Sequence, residues 1–306
     1  MKILDKNSIL DDIQTVATIG FFDGFHLGHK FLLNSVLDLA KKENKKSLLI
    51  TFNENPKKFF KQNYDIRQLN TVDEKIEKLS NFGVDYCLLL DFTEELSRKT
   101  AFDFLNFLKK NFGLTVLFIG YDHTFGSDKI KDFVQIKYIC NSLQIEAFKI
   151  EQFNVEDQKV SSSLIRQLIK DGEFATANRM LGYDYSFNGI VVEGQKIGRT
   201  IGFPTANIDV LPGKLLPKNG VYAVSVIVEN QRKGGMLNIG NRPTLCGINR
   251  TVEVNIFDFE KYIYGQRITV EIKKFIREEK KFDSLESLKN QLFIDKNLIT
   301  NFLKYI

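Results

Sequence analysis

Five short apolar runs, each about the length of a β-strand, alternate with helical patterns between residues 15 and 150. This alternation predicts a mostly parallel sheet with helices on both faces, because parallel strands need crossover connections. Ligands of such sheets bind beyond the carboxyl ends of the strands. The predicted strands are Thr15–Gly20, Ser47–Phe52, Tyr86–Asp91, Thr115–Gly120 and Glu146–Ile150.

The segments between these strands carry helix start and stop signals. Thr71 and Glu74 have the spacing of a capping box, and Gly83 is placed to end that helix. A further helix is expected over about Thr100–Asn111, before Gly113. The helix predicted after the first strand has its apolar face at Phe31, Leu32, Val36, Leu39 and Ala40. Three more helices are predicted over Asp128–Ser142, Ser161–Lys170 and Glu173–Leu181.

The amino-acid composition changes after Gly182, where glycine and proline become frequent. Strand-length segments such as Gly220–Glu229 and Thr251–Phe259 are separated there by turn residues. This pattern favours an antiparallel barrel or sandwich, and Ser284–Phe302 returns to a helical period. We therefore predict an α/β chain with two domains. A Rossmann-like, mostly parallel domain covers residues 1–182, and an antiparallel β-barrel domain with a C-terminal helix covers residues 183–306.

Charge and cysteine content narrow the choice of partners. The formal net charge is +5, which suits a polyphosphate ligand, whereas no basic run is dense enough to favour nucleic acid. Cys87, Cys140 and Cys246 lie far apart, which argues against a disulfide framework or a thiolate zinc site. The polar N-terminus and the absence of a run of about 20 apolar residues favour a soluble, cytoplasmic protein that does not enter a membrane.

The most informative stretch of the first domain reads GFFDGFHLGH, from Gly20 to His29, between the first strand and the first helix. Two imidazoles three residues apart at a helix N-terminus can face one anion site, where free N–H groups also point. Gly24 and Gly28 let the backbone approach a phosphate closely. The arrangement suits nucleotidyl transfer, in which a phosphate attacks the α-phosphorus of ATP and the protein neutralises developing charge.

Two other interpretations of this stretch are a helix cap with incidental histidines and a two-histidine zinc site. The strand, the glycine-rich loop and the paired histidines together argue against the first. The three-residue spacing, without a nearby cysteine or third ligand, argues against the second.

In the second domain, Gly194, Gly198 and Gly202 form a flexible loop that can surround phosphates with backbone N–H groups. Lys196 and Arg199 add positive charge. Thr205 and Asn207 are two residues apart, and therefore share a face if extended, and they offer neutral oxygens of the kind that Mg²⁺ accepts. A glycine-rich barrel corner is the alternative explanation of the glycines.

The chain has three histidines, and all of them precede residue 182. A phosphoryl transfer to an alcohol in the second domain therefore needs another base. Glu253 is the candidate, on a strand that alternates Val252, Val254 and Ile256 with polar residues. A surface glutamate on a strand is the alternative.

GFFDGFHLGH resembles the HxGH motif of the nucleotidyltransferase superfamily, in the form of the bacterial FAD synthetases. Two later stretches are similar to that family: Gly120–Gly126, which reads GYDHTFG, and Val160–Arg166, which reads VSSSLIR. The resemblance implies catalytic roles for His26 and His29 and a flavin contact by Asp122 and Phe125. The implied ATP and phosphate contacts of this domain are Gly20, Phe22, Asp23, Gly24, Gly28, Ser161, Ser162, Ser163 and Arg166.

The first domain departs from this family at three positions. Asn55 stands where the family has a histidine, and His123 and Thr124 replace a phenylalanine and usually an arginine. The run Ser127–Asp132 also lacks the family's basic, glycine-containing pattern.

The second domain resembles the riboflavin kinases. The similar stretches are Gly194–Ile208 with its GFPTAN, Asn238–Thr244, Thr251–Asp258 and Ile276–Phe282, and Asn255 takes the place of a histidine. The resemblance implies that Glu253 is the catalytic base, that Arg277 contacts flavin, that Thr205 and Asn207 bind Mg²⁺, and that Gly194, Gly198, Arg199 and Gly202 bind ATP.

Together the two resemblances cover nearly the whole chain, in the order of the bifunctional bacterial enzyme. They imply that riboflavin is phosphorylated to FMN by ATP and that FMN is then adenylated to FAD, with only small molecules as partners. A kinase with a silent adenylyltransferase, a single-activity FAD synthetase and a flavin- or RNA-sensing protein are the alternatives. The sequence does not determine an oligomeric state.

Overall fold

The computed structural model describes residues 1–60, 67–121, 124, 126–194, 196–244 and 247–304, without the side chains of 197, 242–244 and 247–249. The chain divides into two compact units. The first comprises Met1–Ile66 with Asn70–Ser162, and the second comprises Arg67–Leu69 with Ser163–Ile306. The division after Ser162 precedes the predicted boundary near Gly182 by two helices, and that boundary stays a prediction.

The first unit contains a six-stranded parallel sheet, as the alternation of strands and helices predicts. The strands are β1 (Lys2–Leu4), β2 (Thr15–Ile19), β3 (Lys46–Phe52), β4 (Tyr86–Leu90), β5 (Leu114–Ile119) and β6 (Glu146–Lys149). Their order in the sheet is β1-β4-β3-β2-β5-β6, so the chain moves to opposite sides of β2 when it forms β3 and β5.

Helices cover both faces of this sheet, and successive residues of β2 serve the two cores. Ala17 and Ile19 belong to one buried cluster, and Val16 belongs to the cluster on the opposite face. The helices are α1 (Leu27–Lys42), α2 (Pro56–Phe60), α3 (Val72–Phe82), α4 (Glu94–Arg98), α5 (Ala101–Phe112) and α6 (Phe133–Ser142). A short hairpin follows, β7 (Asn154–Val155) and β8 (Gln158–Lys159), before α7 (Ser162–Asp171) begins at the edge of this unit.

The second unit is built on a closed antiparallel barrel with the strand order β10-β13-β12-β11-β14-β9. Closure decides between the barrel and the sandwich that the sequence left open, and it leaves no unpaired edge. The elements are α8 (Phe174–Leu181), β9 (Ser186–Val192), α9 (Ile197–Thr200), β10 (Ala206–Val210), β11 (Gly220–Val228), β12 (Gln231–Thr244), β13 (Gly247–Ile256), β14 (Arg267–Arg277) and α10 (Leu285–Leu303).

Two helices pack on this barrel. The Asn178 side chain of α8 donates to the carbonyl of Ile272 in β14 and accepts from the backbone N–H of Tyr185. On α10, Ile299 is buried with Phe203 and Phe257. The predicted C-terminal helix is confirmed, and it begins at a capping box formed by Ser284 and Ser287.

The capping signals read from the sequence occur in the structure. Thr71 and Glu74 exchange hydrogen bonds as a capping box, and Gly83 and Gly113 end their helices in the left-handed conformation. The helix expected over Asp128–Ser142 begins later, at Phe133, because Asp132 caps it by accepting from the N–H of Val134. Among the described residues, no helix is long and apolar enough to cross a membrane.

Gly113 and Gly83 offer a matched test of how tightly the end of α5 is packed. Both have positive φ, at 60° and 96°. A Cβ on Gly113 would overlap the carbonyl oxygen of Ile13, whereas a Cβ on Gly83 would meet no atom within 4 Å. We expect Gly83→Ala to lower the free energy of unfolding by about 1 kcal/mol, the cost of a left-handed alanine, and Gly113→Ala to lower it by more. Urea unfolding followed by circular dichroism measures both, and equal losses would contradict the expectation.

Candidate functional site

The first candidate site lies where the chain leaves the carboxyl end of β2 and enters α1. Because β3 and β5 lie on opposite sides of β2, this point is the topological switch of the sheet, where ligands of such sheets bind. Phe22 and Phe25 both have positive φ and are buried in the core beneath α1, so they fix the shape of the loop between them. The loop therefore holds the N–H groups of the first turn of α1 in place.

The two histidines of this loop lie face to face. The ring centroids of His26 and His29 are 3.6 Å apart and their planes differ by 12°. His26 is the N-cap of α1, and its Nδ1 accepts the backbone N–H of His29 at 3.3 Å. An Nδ1 that accepts carries no proton, so a neutral His26 has its proton on Nε2.

His29 is held in a less polar setting. Its ring meets the edge of Phe22 at 5.0 Å, and its buried Nδ1 has no hydrogen-bond partner among the described residues. Burial, followed by the nearby charges of His26 and Lys75, holds the pKa of His29 well below its ordinary value of 6.5. His29 is therefore neutral at pH 7 in the free protein, and it offers a hydrogen bond rather than a positive charge.

Asp23 ties this loop to two other segments of the unit. Its carboxylate accepts from the backbone N–H of Asn70 at 3.1 Å, and its carbonyl accepts from the Ser162 hydroxyl at 2.8 Å. The structure thus joins the predicted residues Asp23 and Ser162 directly. Ser161 precedes α7, Ser163 is exposed, and Arg166 is half-buried one turn later in the helix.

The predicted residues Asp122 and Phe125, like His123, lie outside the described residues, and their flavin contact stays a prediction. Gly20 and Gly28 are described. A side chain on Gly20 would press on the Phe22 ring at 3.0 Å, and one on Gly28 would press on the His26 ring at 3.3 Å. Both glycines therefore leave room for the rings that shape the loop.

Two features near this site are not marked by any of the sequence motifs. One is a group of aromatic rings beyond the ends of β3 and β4, where Phe59 and Phe60 pack on Phe92 and Phe60 remains 64% exposed. The other is Lys75, whose side chain is buried beneath the loop. Its position one turn before the buried Leu79, on the apolar face of α3, was the signal that could have found it.

The second candidate site lies on the barrel, where three polar side chains form a row across neighbouring strands. Asn207 of β10 is paired with Glu253 of β13, and Glu253 is paired with Asn238 of β12. Directly paired residues point to the same face of a sheet with their Cβ atoms about 5 Å apart. The half-buried Glu253 therefore has an amide side chain on either side.

The glycine loop approaches this row at Asn207. A Cβ on Gly194 would overlap the Asn207 amide, and one on Gly198 would lie 3.5 Å from the Thr205 hydroxyl and overlap the carbonyl oxygen of Phe203. The backbone of the loop thus comes close to Thr205 and Asn207, because Gly194 and Gly198 have no side chains. The loop ends at Gly202, whose φ is 83°.

Asn255 holds the segment that carries these residues. Its side-chain amide is 5% exposed and donates to the carbonyl of Pro204 at 2.6 Å. Beside it, a cleft of about 500 Å³ is lined by Arg199 and Thr205 of the loop segment and by Tyr262 and Tyr264. The two tyrosines were not singled out from the sequence, because no motif marks them.

Arg277, the predicted flavin contact of the barrel, is engaged elsewhere in the unit. Its Nε and its terminal nitrogen bind the carboxylate of Asp295 on α10, at 3.0 and 2.7 Å, and Asp295 is 2% exposed. This bidentate pair fixes α10 against the end of β14. A flavin contact by Arg277 stays a prediction.

Two family models match this chain. The FAD synthetase family model matches residues 9–164, and the riboflavin kinase family model matches residues 181–303. The chain is 35% identical to a bifunctional riboflavin kinase/FMN adenylyltransferase of Escherichia coli K12, over 92% of this chain and 90% of that protein. It is 30% identical to the Bacillus subtilis protein of the same name, over 94% and 92%.

A solved structure from Streptococcus pneumoniae has the same fold over nearly its whole length. It covers 98% of this chain and 99% of its own, with a TM-score of 0.89 and 32% identity, and it is named a macrolide-efflux protein.

The low pKa of His29 predicts how stability depends on pH. The unfolded chain takes up a proton near pH 6.5, whereas the native His29 does not, so protonation favours unfolding as the pH falls below about 6.5. We expect His29→Gln to remove this contribution, so that its unfolding free energy falls less than that of the wild type between pH 7 and pH 5. Urea unfolding at each pH measures the two slopes. Parallel slopes would show that His29 is not held neutral.

Proposed function

The chain belongs to the family of bifunctional riboflavin kinases/FMN adenylyltransferases, and we propose how its two units divide the two reactions. The protein transfers a phosphoryl group from ATP to riboflavin, which gives FMN, and an adenylyl group from a second ATP to FMN, which gives FAD and pyrophosphate. The adenylyl transfer belongs to the parallel-sheet domain and the phosphoryl transfer to the barrel. The row Asn207–Glu253–Asn238, which the glycine loop approaches at Asn207, is the observation that carries the assignment of the barrel.

In the kinase reaction, Glu253 acts as the general base. Its carboxylate takes the proton of the terminal ribityl hydroxyl while that oxygen forms a bond to the γ-phosphorus of ATP. The bond between the γ-phosphorus and the bridging oxygen breaks, and ADP leaves. No histidine is available to this domain, and Glu253 is the acidic residue of the polar row.

Thr205 and Asn207 suit a magnesium ion that is shared with ATP. Both offer neutral oxygens close to the backbone of Gly194 and Gly198, and Mg²⁺ prefers hard oxygen ligands while the phosphates supply most of the charge. When bound, the ion neutralises negative charge on the transferred phosphoryl group. Asn255 maintains this arrangement by holding the carbonyl of Pro204.

The nucleotide base of ATP fits the neighbouring cleft. Tyr262 and Tyr264 provide aromatic surface, and Arg199 and Thr205 line the same cleft on the side of the glycine loop. A base in this cleft would direct its phosphates toward Gly194–Gly202.

The kinase assignment is tested by Glu253→Gln. We expect the rate of FMN formation from riboflavin to fall by about 10²–10⁴, the usual effect of losing a general base, because glutamine cannot accept the proton. Separation of FMN from riboflavin after incubation with ATP and Mg²⁺ measures the rate. Glu286→Gln, an exposed change in the first turn of α10, is the control and should leave the rate unchanged. Near-wild-type FMN formation by Glu253→Gln would refute the role of Glu253.

In the adenylyl transfer, a phosphate oxygen of FMN forms a bond to the α-phosphorus of ATP. The bond from that phosphorus to the bridging oxygen breaks, and pyrophosphate leaves. No covalent enzyme intermediate is needed, so the protein acts by holding the phosphates in line and donating hydrogen bonds to them. His26, His29 and the N-terminus of α1 supply these donors.

The aromatic group formed by Phe59, Phe60 and Phe92 suits the isoalloxazine ring of FMN. Planar π-systems stack on exposed aromatic faces, and these rings follow the carboxyl ends of β3 and β4, at the edge of the sheet where ligands bind. That the protein works in the cytoplasm and binds no nucleic acid remains a prediction from its sequence.

The adenylyl-transfer assignment is tested by His29→Ala. We expect FAD formation from FMN and ATP to fall by about 10²–10³, because one hydrogen-bond donor to developing charge is removed. FMN formation from riboflavin in the same sample is the internal control and should continue. Unchanged FAD synthesis would refute the histidine mechanism. A wild type that forms FMN but no FAD would instead favour a kinase with a silent first domain.

A further inference from the structure

Lys75 is a buried lysine whose ammonium group, among the residues that the structure describes, is bound by neutral oxygens only. The residue is 3% exposed. Its Nζ donates to the carbonyls of Phe52 and Phe21, at 2.8 and 3.2 Å, and to the Thr51 hydroxyl at 3.1 Å. All three N–H donors are therefore used, although a buried lysine is normally paired with a carboxylate.

These contacts join the end of β3 to the loop that carries the histidine pair. The Thr51 hydroxyl, which accepts from Lys75, donates in turn to the carbonyl of Phe21 at 3.2 Å. The ring of Phe21 lies 4.5 Å from Nζ, which adds a cation–π contact. Phe22, the next residue, supports the ring of His29. Lys75 thus supports the histidine pair from below without touching it.

The charge of Lys75 also affects the pKa of His29. Burial lowers its pKa to about 8, so it remains mostly protonated at pH 7, and its charge contributes to the low pKa of His29. Asp23 and the buried thiol of Cys87 are the other titratable groups near it, and each opposes the effect of burial on Lys75. A positive charge without a carboxylate bound to it is favourable where an anion is to bind.

We propose that Lys75 is a positioning residue of the adenylyl-transfer site, which holds the Phe21–Phe22 turn and supplies a buried positive charge that favours the polyphosphate of ATP. The inference rests on the proposed function of the first domain. A purely structural role is the competing explanation, since three hydrogen bonds could serve stability alone.

Lys214 provides a matched control for that explanation. It is also a buried lysine, at 4% exposure, and it also donates to a backbone carbonyl, that of Leu69 at 2.6 Å. Its Nζ lies 4.8 Å from the ring centre of Tyr185, in the second unit. Lys75→Met and Lys214→Met therefore each remove one buried ammonium group and retain an apolar side chain.

The first measurement is FAD formation with FMN supplied directly, so that the kinase step is not needed. We expect Lys75→Met to raise KM for ATP by about tenfold or more, the effect of losing a nearby charge in a partly buried site, with a smaller change in kcat. Lys214→Met should form FAD at the wild-type KM. An equal change in both variants would overturn the proposal.

The second measurement does not depend on activity. The imidazole resonances of the three histidines are titrated by NMR and assigned with His26→Gln and His29→Gln. We expect His29 to titrate at higher pH in Lys75→Met, because a positive neighbour has been removed, and to titrate as in the wild type in Thr51→Val, which retains the charge. An unchanged His29 titration in Lys75→Met, or the same shift in Thr51→Val, would overturn the proposal.

If Lys75→Met does not fold, Lys75→Gln replaces it in both measurements. Glutamine keeps hydrogen-bond donors but has no charge, so we expect the same results. A wild type that makes no FAD would refute the proposed activity of the first domain, whereas the His29 titration would still decide whether the Lys75 charge acts on the histidine pair.

Discussion

The first site depends on the burial of two phenylalanines in the loop between β2 and α1. Phe22 and Phe25 are each 2% exposed and have φ values of 55° and 34°, an uncommon conformation for such residues. Burying each ring contributes about 1.5–3 kcal/mol, which is enough to offset the cost of about 1–2 kcal/mol of a left-handed residue. Core packing therefore maintains a strained loop, and the loop in turn sets the spacing of His26, His29 and the N-terminus of α1.

The two units form their candidate sites by different means. In the parallel sheet, the site is made by a helix N-terminus at the point where the chain reverses its direction across the sheet. In the barrel, the site is made by strand register, because Asn207 and Asn238 reach Glu253 only through their pairing with β13. A slip of one residue in that register would send Glu253 to the opposite face of the strand. Closure of the barrel fixes the register, since each strand is bound on both sides.

Local sequence signals predicted much of this architecture. The five longer strands of the sheet, the capping box of α3 and the glycine ends of α3 and α5 follow from periodicity and from residues within one turn of each other. The three-residue edge strand β1 and the short helices α2, α4 and α9 were missed, because too few residues carry a period. The sequence could not distinguish a barrel from a sandwich in the second domain, because closure of the barrel depends on pairing between strands that are distant in the chain.

The candidate sites were predictable to the extent that motifs mark them. His26, His29, the glycine loop and Glu253 are close to residues that identify them in the sequence. The support of the histidine pair by Lys75 and the pairing of Arg277 with Asp295 join residues that are far apart in the chain, so no local pattern reveals them. Tyr262 and Tyr264 likewise become recognisable only when the cleft that they line is formed.

Two of the substitutions that depart from the family pattern have a physical explanation in the structure. Asn55 accepts the backbone N–H of Lys57 at 3.0 Å, so its short amide starts the turn into α2. Asn255 donates to the carbonyl of Pro204 from a buried position, where a neutral amide supplies one hydrogen bond without a change of protonation state. A histidine there would titrate near neutral pH and could lose that donor to another tautomer. In the barrel, asparagine therefore holds the GFPTAN segment by a hydrogen bond whose donor does not titrate near neutral pH.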